Sequence, residues 1–264
     1  MDFRTIVTIE KPSFNILPRE RMLFVGSCFA DRIGRRFQQE NFPVVVNPYG
    51  VMYNPASILH TVERTEEAPR VAFLTLGTNH VYRLRETGEI VDNCQKKPHR
   101  LFIEECLSLD SCVEYLAKVV QTLQQRRNDL RVILTVSPIR YAKYGFHGSQ
   151  LSKATLLLAT EKLAQIFPEI VSYFPAYEIV CDELRDYRFY NADMIHPSDQ
   201  AVEYIWERLA EHYFADATHQ YLREWKPVKE ALAHRPFNPD SPEYKQFIKL
   251  TQKKAKEIEK RYSG

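Results

Sequence analysis

Short apolar runs alternate with segments of helical periodicity through the first 215 residues of the chain. The runs lack the alternation of apolar and polar residues that is expected of a strand with one exposed face. Strands of this kind are typically covered on both faces, as in a parallel sheet. The predicted strands are Met22–Val25, Val44–Val46, Val71–Leu76, Arg131–Val136 and Ile170–Phe174. Strands that alternate with helices predict an α/β fold with right-handed crossovers.

Apolar positions three or four residues apart predict the helices between these strands. After the first strand, Phe29, Ile33 and Phe37 recur at i, i+4 and i+8. Further helices are predicted over Pro55–Val62, over Ser111–Arg127, over Gln150–Phe167 and after Ser198. Outside this pattern, Val81–Leu84 and Ile90-Val91 flank a turn that contains glycine, which predicts a hairpin.

The two ends of the chain differ from the central pattern. Near the amino end, the apolar positions around Val7 favour an edge strand. Residues 216–264 hold no strand signal, and two helical patterns occur there, Thr218–Leu232 and Ser241–Lys260. We therefore expect a main domain over residues 1–215, followed by a helical extension that packs on this domain or on a partner. The extension is a candidate surface for homo-oligomerisation.

Composition narrows the functional classes. The formal net charge is only +2, so bulk electrostatics gives no case for a nucleic acid or an anionic membrane. No segment approaches the roughly 18 apolar residues of a membrane span, and the charged amino end lacks the apolar core of a signal peptide. The five cysteines are odd in number and widely spaced, which argues against a disulfide framework and against structural zinc. We expect a cytoplasmic protein that binds neither nucleic acid nor membrane.

A small-residue corner, Gly26-Ser27-Cys28, joins the first predicted strand to its helix. Ser27 thus lies at the carboxyl end of a strand, where open parallel sheets bind ligands, and the next helix adds a partial positive charge. Ser27 is a candidate nucleophile there. Serine is also a favoured N-cap residue, and the corner alone favours capping. Cys28 is a second candidate, because a helix N-terminus stabilises a thiolate, although a packed thiol is the more common role.

A serine nucleophile needs a base, and the base works best when a carboxylate orients it. Asp193 and His196 lie three residues apart in a loop that follows the fifth predicted strand and precedes a helix. One loop can therefore deliver both the acid and the base to the edge that carries Ser27. His-Pro-Ser is also an ordinary entry to a helix, so the joint signal is stronger than either part.

Together these motifs resemble the SGNH, or GDSL-like, hydrolases, and the string Gly26–Ala30 resembles the GSCFA-domain family within that group. Further similar stretches are Asn47–Pro55, Thr75–Arg83, Val136–Pro138, Gln150–Ala154 and Arg188–Pro197. The resemblance implies a three-layer α/β sandwich with a central, mostly parallel, five-stranded, flavodoxin-like sheet. It also implies Ser27 as nucleophile, His196 as general base and then acid, and Asp193 as the orienting carboxylate, with no metal or other cofactor.

The same resemblance implies an oxyanion hole formed by the backbone N–H groups of Ser27 and Gly50 and by the side chain of Asn79. Asn54 or Asn93 can take the place of Asn79, since turn chemistry alone explains any of these asparagines. Arg140 and His147 follow the fourth predicted strand and can bind a polar or anionic part of a substrate, while surface solvation and loop packing explain them equally well. The candidate substrate-binding residues are Asn54, Asn93, Arg140 and His147.

Two features depart from the family pattern. Gln95 stands where members typically have the histidine of Asn-Cys-His-Lys, and the connection between Ser57 and Val71 is short. Either departure bears on the choice of substrate and on the level of activity.

The leading hypothesis is a serine esterase that hydrolyses a short acyl ester through an acyl-enzyme, such as O-deacetylation of a carbohydrate or another small metabolite. The alternative is a non-catalytic ligand-binding or scaffold protein that retains the fold. A thiol enzyme that uses Cys28 ranks third. The sequence leaves the acyl group, the leaving group and the oligomeric state open.

Overall fold

The computed structural model describes residues 4–92 and 98–262 of the chain. The strands are β1 (Met22–Gly26), β2 (Val44–Val46), β3 (Val71–Leu76), β4 (His80–Leu84), β5 (Ile90–Val91), β6 (Phe102–Cys106), β7 (Arg131–Val136) and β8 (Val171–Tyr173). The helices are α1 (Cys28–Gln39), α2 (Pro55–Arg64), α3 (Leu109–Arg126), α4 (Gly145–Ile166), α5 (Ala176–Glu178), α6 (Asp199–Tyr213), α7 (Asp216–Ala233) and α8 (Pro242–Tyr262). Apart from β4, β5 and β6, which follow β3 without an intervening α-helix, strands and α-helices alternate along the chain as far as α5.

Five strands form an all-parallel sheet in the order β2-β1-β3-β7-β8. Phe24 on β1 pairs with Val46 on one side and with Phe73 on the other, and Gly26 lies opposite Thr75. This order, in which β1 lies inside β2, is the flavodoxin-like arrangement. The predicted α/β class and the predicted five-stranded central sheet are therefore confirmed.

Both faces of the parallel sheet are covered, which explains why its strands read as apolar runs. Phe24 and Phe73 stack on one face, where Phe37 of α1 and Trp206 of α6 extend the aromatic cluster. Leu23, the neighbour of Phe24 on the strand, belongs to the opposite layer, which α2, α3 and α4 cover. Full burial of each such side chain contributes about 1.5–3 kcal/mol, so the sheet is held from both sides.

A second, antiparallel sheet follows β3, in the order β5-β4-β6. β4 and β5 form the predicted hairpin, whereas the pattern along the chain did not predict β6. β6 contains two consecutive glutamates, Glu104 and Glu105, and has neither an apolar run nor clear alternation. Its pairing with β4 holds it in place, and this register sets Cys106 opposite His80.

The edge strand predicted around Val7 is wrong, because the described part of the amino-terminal segment forms no strand there. The backbone of Val7 pairs with side chains instead. Its N–H donates to Glu183 Oε2 at 3.1 Å, and its carbonyl accepts from Arg208 at 2.9 Å. The segment reaches the carboxyl end of α6 through a β-bridge between Ile16 and Phe214.

The two helices beyond residue 215 pack against the end of α1. Tyr221 of α7 donates from its hydroxyl to the carbonyl of Glu40 at 2.7 Å, and Trp225 Nε1 donates to the carbonyl of Gln39 at 3.3 Å. Both aromatic side chains are buried in the same layer as Phe37. Asn41 links the same region to α8 through Glu259. The helical extension therefore contacts the α/β layers through aromatic and polar groups together.

Candidate active site

Gly26 forms the corner between β1 and α1, with a φ of +142° that glycine adopts far more easily than other residues. Its N–H donates to Asn47 Oδ1 at 2.8 Å, and its carbonyl accepts from Met52 N at 2.8 Å. On the neighbouring strand, Thr75 lies opposite Gly26. These contacts hold the loop after β2 against the corner at the carboxyl edge of the sheet.

Ser27 is fully buried and is the N-cap of α1. Its Oγ accepts from Phe29 N at 3.2 Å and shares a 2.9 Å hydrogen bond with Thr75 Oγ1. Its backbone N–H donates to Thr75 Oγ1 at 2.8 Å. The hydroxyl therefore lies inside the corner, in the capping role that the corner alone favoured. The role of nucleophile predicted for Ser27 stays a prediction.

Cys28, the first residue of α1, is half-buried, and its Sγ lies 3.5 Å from the hydroxyl of Tyr53. Burial, with a contribution from the Cys28 side chain, raises the pKa of Tyr53, so the phenol stays protonated at neutral pH. The carbonyl of Tyr53 accepts from Gly77 N and Thr78 N at 2.8 and 2.9 Å. A thiol and a phenol thus adjoin at the carboxyl edge, and sequence reasoning did not identify Tyr53.

Asp193 and His196 form a hydrogen-bonded pair, with Asp193 Oδ2 2.7 Å from His196 Nδ1. The other carboxylate oxygen accepts from Ile195 N at 2.8 Å and from His196 N at 3.0 Å. These bonds, the backbone one from His196 first, lower the pKa of Asp193 to about 2. The spacing therefore does bring acid and base together, although no hydrogen bond within the described residues joins His196 to Ser27.

Arg140 connects the loop of Asp193 and His196 to the end of β7 through two hydrogen bonds. Its Nη1 donates to the carbonyl of Met194 at 2.9 Å, and its backbone N–H donates to the carbonyl of Ile195 at 3.0 Å. Its guanidinium lies over the rings of Phe146, Tyr187 and Tyr190. The structure thus gives Arg140 a positioning role, and its predicted role in substrate binding stays a prediction.

The groups predicted to form the oxyanion hole already have acceptors inside the protein. The N–H of Gly50 donates to the carbonyl of Asn47 at 2.9 Å, within a turn. Asn79 donates from its backbone to Ser152 Oγ at 2.9 Å and from Nδ2 to the carbonyl of Leu107 at 2.8 Å. The N–H of Ser27 binds Thr75, as described above. The predicted oxyanion hole is therefore not assembled in this conformation.

The remaining predicted site residues have varied positions. Asn54 is buried and caps α2, because its Oδ1 accepts from Ser57 N at 2.9 Å. Helix capping therefore accounts for its position, and the predicted substrate contact stays a prediction. His147 is exposed in the first turn of α4. Asn93 and Gln95 lie outside the described residues.

A buried lysine, Lys153 of α4, forms hydrogen bonds to the loops at the carboxyl edge of the sheet. It is 2% exposed, and its Nζ donates to the carbonyl of Gly77 at 2.8 Å and to that of Ser137 at 2.7 Å. Its neighbour Ser152 bonds to Asn79 N and to Thr78 Oγ1. These two residues fix the loops after β3 and β7. No pattern in the sequence singles out Lys153, because leucines occur on every side of its helix.

Lys153→Met is expected to remove a pH dependence of stability. Burial lowers the pKa of Lys153 from 10.5 to about 7, so between these values the unfolded chain holds a proton that the folded chain lacks. The free energy of unfolding therefore rises with pH in this interval, by up to about 1.4 kcal/mol per pH unit from this group. Urea unfolding of both proteins between about pH 7 and 10 measures the difference. Equal slopes would contradict this account of Lys153.

Metal-binding clusters and membrane-spanning helices are both absent from the described residues. No group of three or more histidine, cysteine, aspartate or glutamate side chains in this part of the chain is arranged to hold a metal ion. No helix in it combines the length and the apolar character that crossing a bilayer requires.

The flavodoxin-like sheet with its covered faces defines a fold of the SGNH-hydrolase type, with an Asp–His pair near its carboxyl edge. The model of the GSCFA family matches residues 21–70 and 67–209, and that of the GSCFA domain protein, C-terminal domain, matches residues 225–264. The chain belongs to the GSCFA family. No curated protein matches it in sequence.

The chain is similar to several solved structures at low sequence identity. A catalytic mutant of Axe2, an acetylxylan esterase from Geobacillus stearothermophilus, is 14% identical, with a TM-score of 0.50 over 76% of this chain and 98% of that chain. A putative platelet activating factor from Streptococcus pneumonia is 16% identical, with a TM-score of 0.47 over 75% of this chain and 85% of that chain. A member of the lipolytic protein G-D-S-L family from Veillonella parvula is 13% identical, with a TM-score of 0.46 over 72% and 96%.

Proposed function

We propose that the protein is an ester hydrolase that removes a short acyl group, such as acetyl, from a carbohydrate or another small molecule. The observation that carries this proposal is the 2.7 Å hydrogen bond between Asp193 Oδ2 and His196 Nδ1. With Nδ1 held by the carboxylate, Nε2 is the ring nitrogen left to accept a proton from a nucleophile. The acetylxylan esterase Axe2 has the same fold, which supports acetyl esters as the first substrates to test.

The site supports a two-step acyl transfer to water. A nucleophile at the Gly26–Cys28 corner attacks the ester carbonyl while His196 takes its proton, and His196 then returns that proton to the leaving alcohol. Water hydrolyses the acyl-enzyme with the same base. Two adjacent side chains can supply the nucleophile, Ser27 and Cys28. Asp193, whose pKa is lowered to about 2, stays ionised and stabilises the imidazolium that forms in each step.

The test is the release of 4-nitrophenol from 4-nitrophenyl acetate and of acetate from acetylated xylo-oligosaccharides. A preparation of His196→Ala, purified in the same way, controls for contaminating esterases. We expect turnover by the wild-type protein that falls by at least about 10³-fold in this variant. Equal rates in the two preparations would reject the proposed function.

A second candidate is a ligand-binding protein without turnover. It is favoured by the internal hydrogen bonds of Ser27 N, Gly50 N and Asn79, which leave none of the predicted oxyanion donors without an acceptor. Removal of such a donor typically costs about 2.7–4 kcal/mol of transition-state stabilisation. Calorimetry that detects binding of acetylated xylo-oligosaccharides, together with no acetate release, would support this candidate.

A further inference from the structure

The two candidate nucleophiles at the corner differ in their accessibility. Ser27 is 0% exposed, and its Oγ is occupied by Phe29 N and Thr75 Oγ1. Cys28 is half-buried, and the contact of its Sγ is with the hydroxyl of Tyr53 at 3.5 Å. A carbonyl carbon that approaches the corner can therefore reach the thiol without opening the helix cap, whereas the serine hydroxyl would first have to leave the cap.

The backbone N–H groups at the start of α1 give a second difference between Ser27 and Cys28. In general, the first N–H groups of a helix have no intrahelical acceptor. Here Ser27 N donates to Thr75, Phe29 N donates to Ser27 Oγ, and Ala30 N donates to the carbonyl of Ser27 at 2.8 Å. For the N–H of Cys28, no acceptor is found in the described part of the chain. The residue that carries the thiol thus also carries a donor for the oxyanion that attack on a carbonyl creates.

Tyr53 adds a second donor next to the thiol. Its phenol stays protonated, so it can donate a hydrogen bond to a thiolate at Cys28 or to an oxyanion beside it. The residue is held in place by the hydrogen bonds from Gly77 N and Thr78 N to its carbonyl. Tyr53 packs so closely on Gly77 that a Cβ there would lie 3.1 Å from the Tyr53 carbonyl oxygen. The same Cβ would lie 3.2 Å from Cδ1 of the Tyr53 ring, so both the backbone and the ring of Tyr53 pack on Gly77.

The loop of His196 borders the face of α1 that carries Cys28. Arg32 follows Cys28 by four residues, one helical turn, and so lies on the same face. Its Nη1 donates to the carbonyl of Pro197 at 3.2 Å, directly after His196 in the chain. Arg32 also forms an ion pair with Asp199 in the first turn of α6. The general base and the thiol are thus supported on neighbouring elements at one edge.

We infer that Cys28, rather than Ser27, is the nucleophile, and that Ser27 caps α1. This inference rests on the proposed function and names the atom that carries the acyl group. In acylation, the S–H proton of Cys28 passes to His196 Nε2 while the C–S bond forms; the C–O bond to the leaving group then breaks, and His196 returns the proton to it. In deacylation, water gives a proton to His196 as it attacks the thioester, the C–S bond breaks, and Cys28 recovers the proton. The products are one acid and one alcohol, with no change of oxidation state.

The experiment compares Cys28→Ala, Ser27→Ala and Cys106→Ala in the hydrolysis of 4-nitrophenyl acetate. Cys106 is an exposed thiol on β6 and serves as the matched control. We expect kcat/KM to fall by at least about 10³-fold in Cys28→Ala and to stay within about threefold of wild type in Cys106→Ala. Ser27→Ala should have a lower melting temperature than the wild-type protein, while its turnover stays within about tenfold of wild type. If Ser27→Ala does not fold, Ser27→Asn replaces it, because asparagine also caps helices.

Acid quenching during turnover, followed by peptide mass spectrometry, locates the acetyl group. An adduct on Cys28 supports the inference. An adduct on Ser27, or loss of turnover in both Ser27 variants with activity retained in Cys28→Ala, overturns it while leaving the ester-hydrolase function in place. Absence of turnover and of any adduct in the wild-type protein rejects the proposed function and this inference together.

Discussion

Gly26→Ala is expected to destabilise the protein by at least about 3 kcal/mol or to prevent folding. A Cβ at this position would lie 2.2 Å from the carbonyl oxygen of Thr75 and 2.5 Å from its Oγ1. The φ of +142° adds backbone strain for any residue with a side chain. Because the clash is with backbone atoms of β3, relief would require β1 and β3 to separate at the edge that holds the candidate site. Urea unfolding monitored by tryptophan fluorescence measures the loss.

Gly88→Ala is the matched control for this prediction. Gly88 lies in the turn between β4 and β5 with a φ of +73°, and no atom lies within 4 Å of a Cβ built there. Alanine at this position meets no steric clash. It only has to adopt a left-handed backbone conformation, which costs about 1–2 kcal/mol. If the two variants have equal free energies of unfolding, the close approach of Gly26 to Thr75 does not contribute to stability.

The sequence predicted the central sheet because the physical signal of these strands is local. The central strands are mostly runs of apolar residues because both faces of the sheet are buried. Phe24 and Leu23, for example, are neighbours on one strand and face opposite layers. β6 was missed because its position depends on pairing with β4, and its own residues include two adjacent glutamates. The predicted start of α4 at Gln150 is also late, since the helix begins at Gly145, in a stretch with two glycines.

In the candidate site, too, features that depend on local contacts were predicted and features that depend on distant contacts were not. The Asp193–His196 hydrogen bond spans three residues of one loop, so the spacing together with the family resemblance was enough to predict the pair. The hydrogen bonds of Asn79 reach Leu107 and Ser152, and no pattern along the chain shows which distant atoms will occupy its donors. At the corner, the exposure of Ser27 or Cys28 depends on the direction of one turn, which the order of residues does not reveal.

Asp193→Asn is expected to lower kcat for ester hydrolysis by about 10²–10⁴-fold while leaving the fold intact. The asparagine oxygen can still accept from Ile195 N and His196 N, as Asp193 Oδ1 does at 2.8 and 3.0 Å. Its amide group would then face His196 Nδ1 and donate to it, which forces the ring proton onto Nε2. A ring in this tautomer cannot accept the proton of the nucleophile, and the charge that stabilises the imidazolium is lost as well. Steady-state kinetics with 4-nitrophenyl acetate measures the effect.

Asp186→Asn is the matched control, because Asp186 also accepts a backbone N–H, that of Arg188 at 2.8 Å. Asparagine can replace this bond too, and no histidine is hydrogen-bonded to Asp186 within the described residues, so kcat should stay within about threefold of wild type. The difference between the two variants isolates the effect on the imidazole from the loss of one exposed carboxylate. Equal kcat in Asp193→Asn and Asp186→Asn would show that the carboxylate does not orient His196 for catalysis.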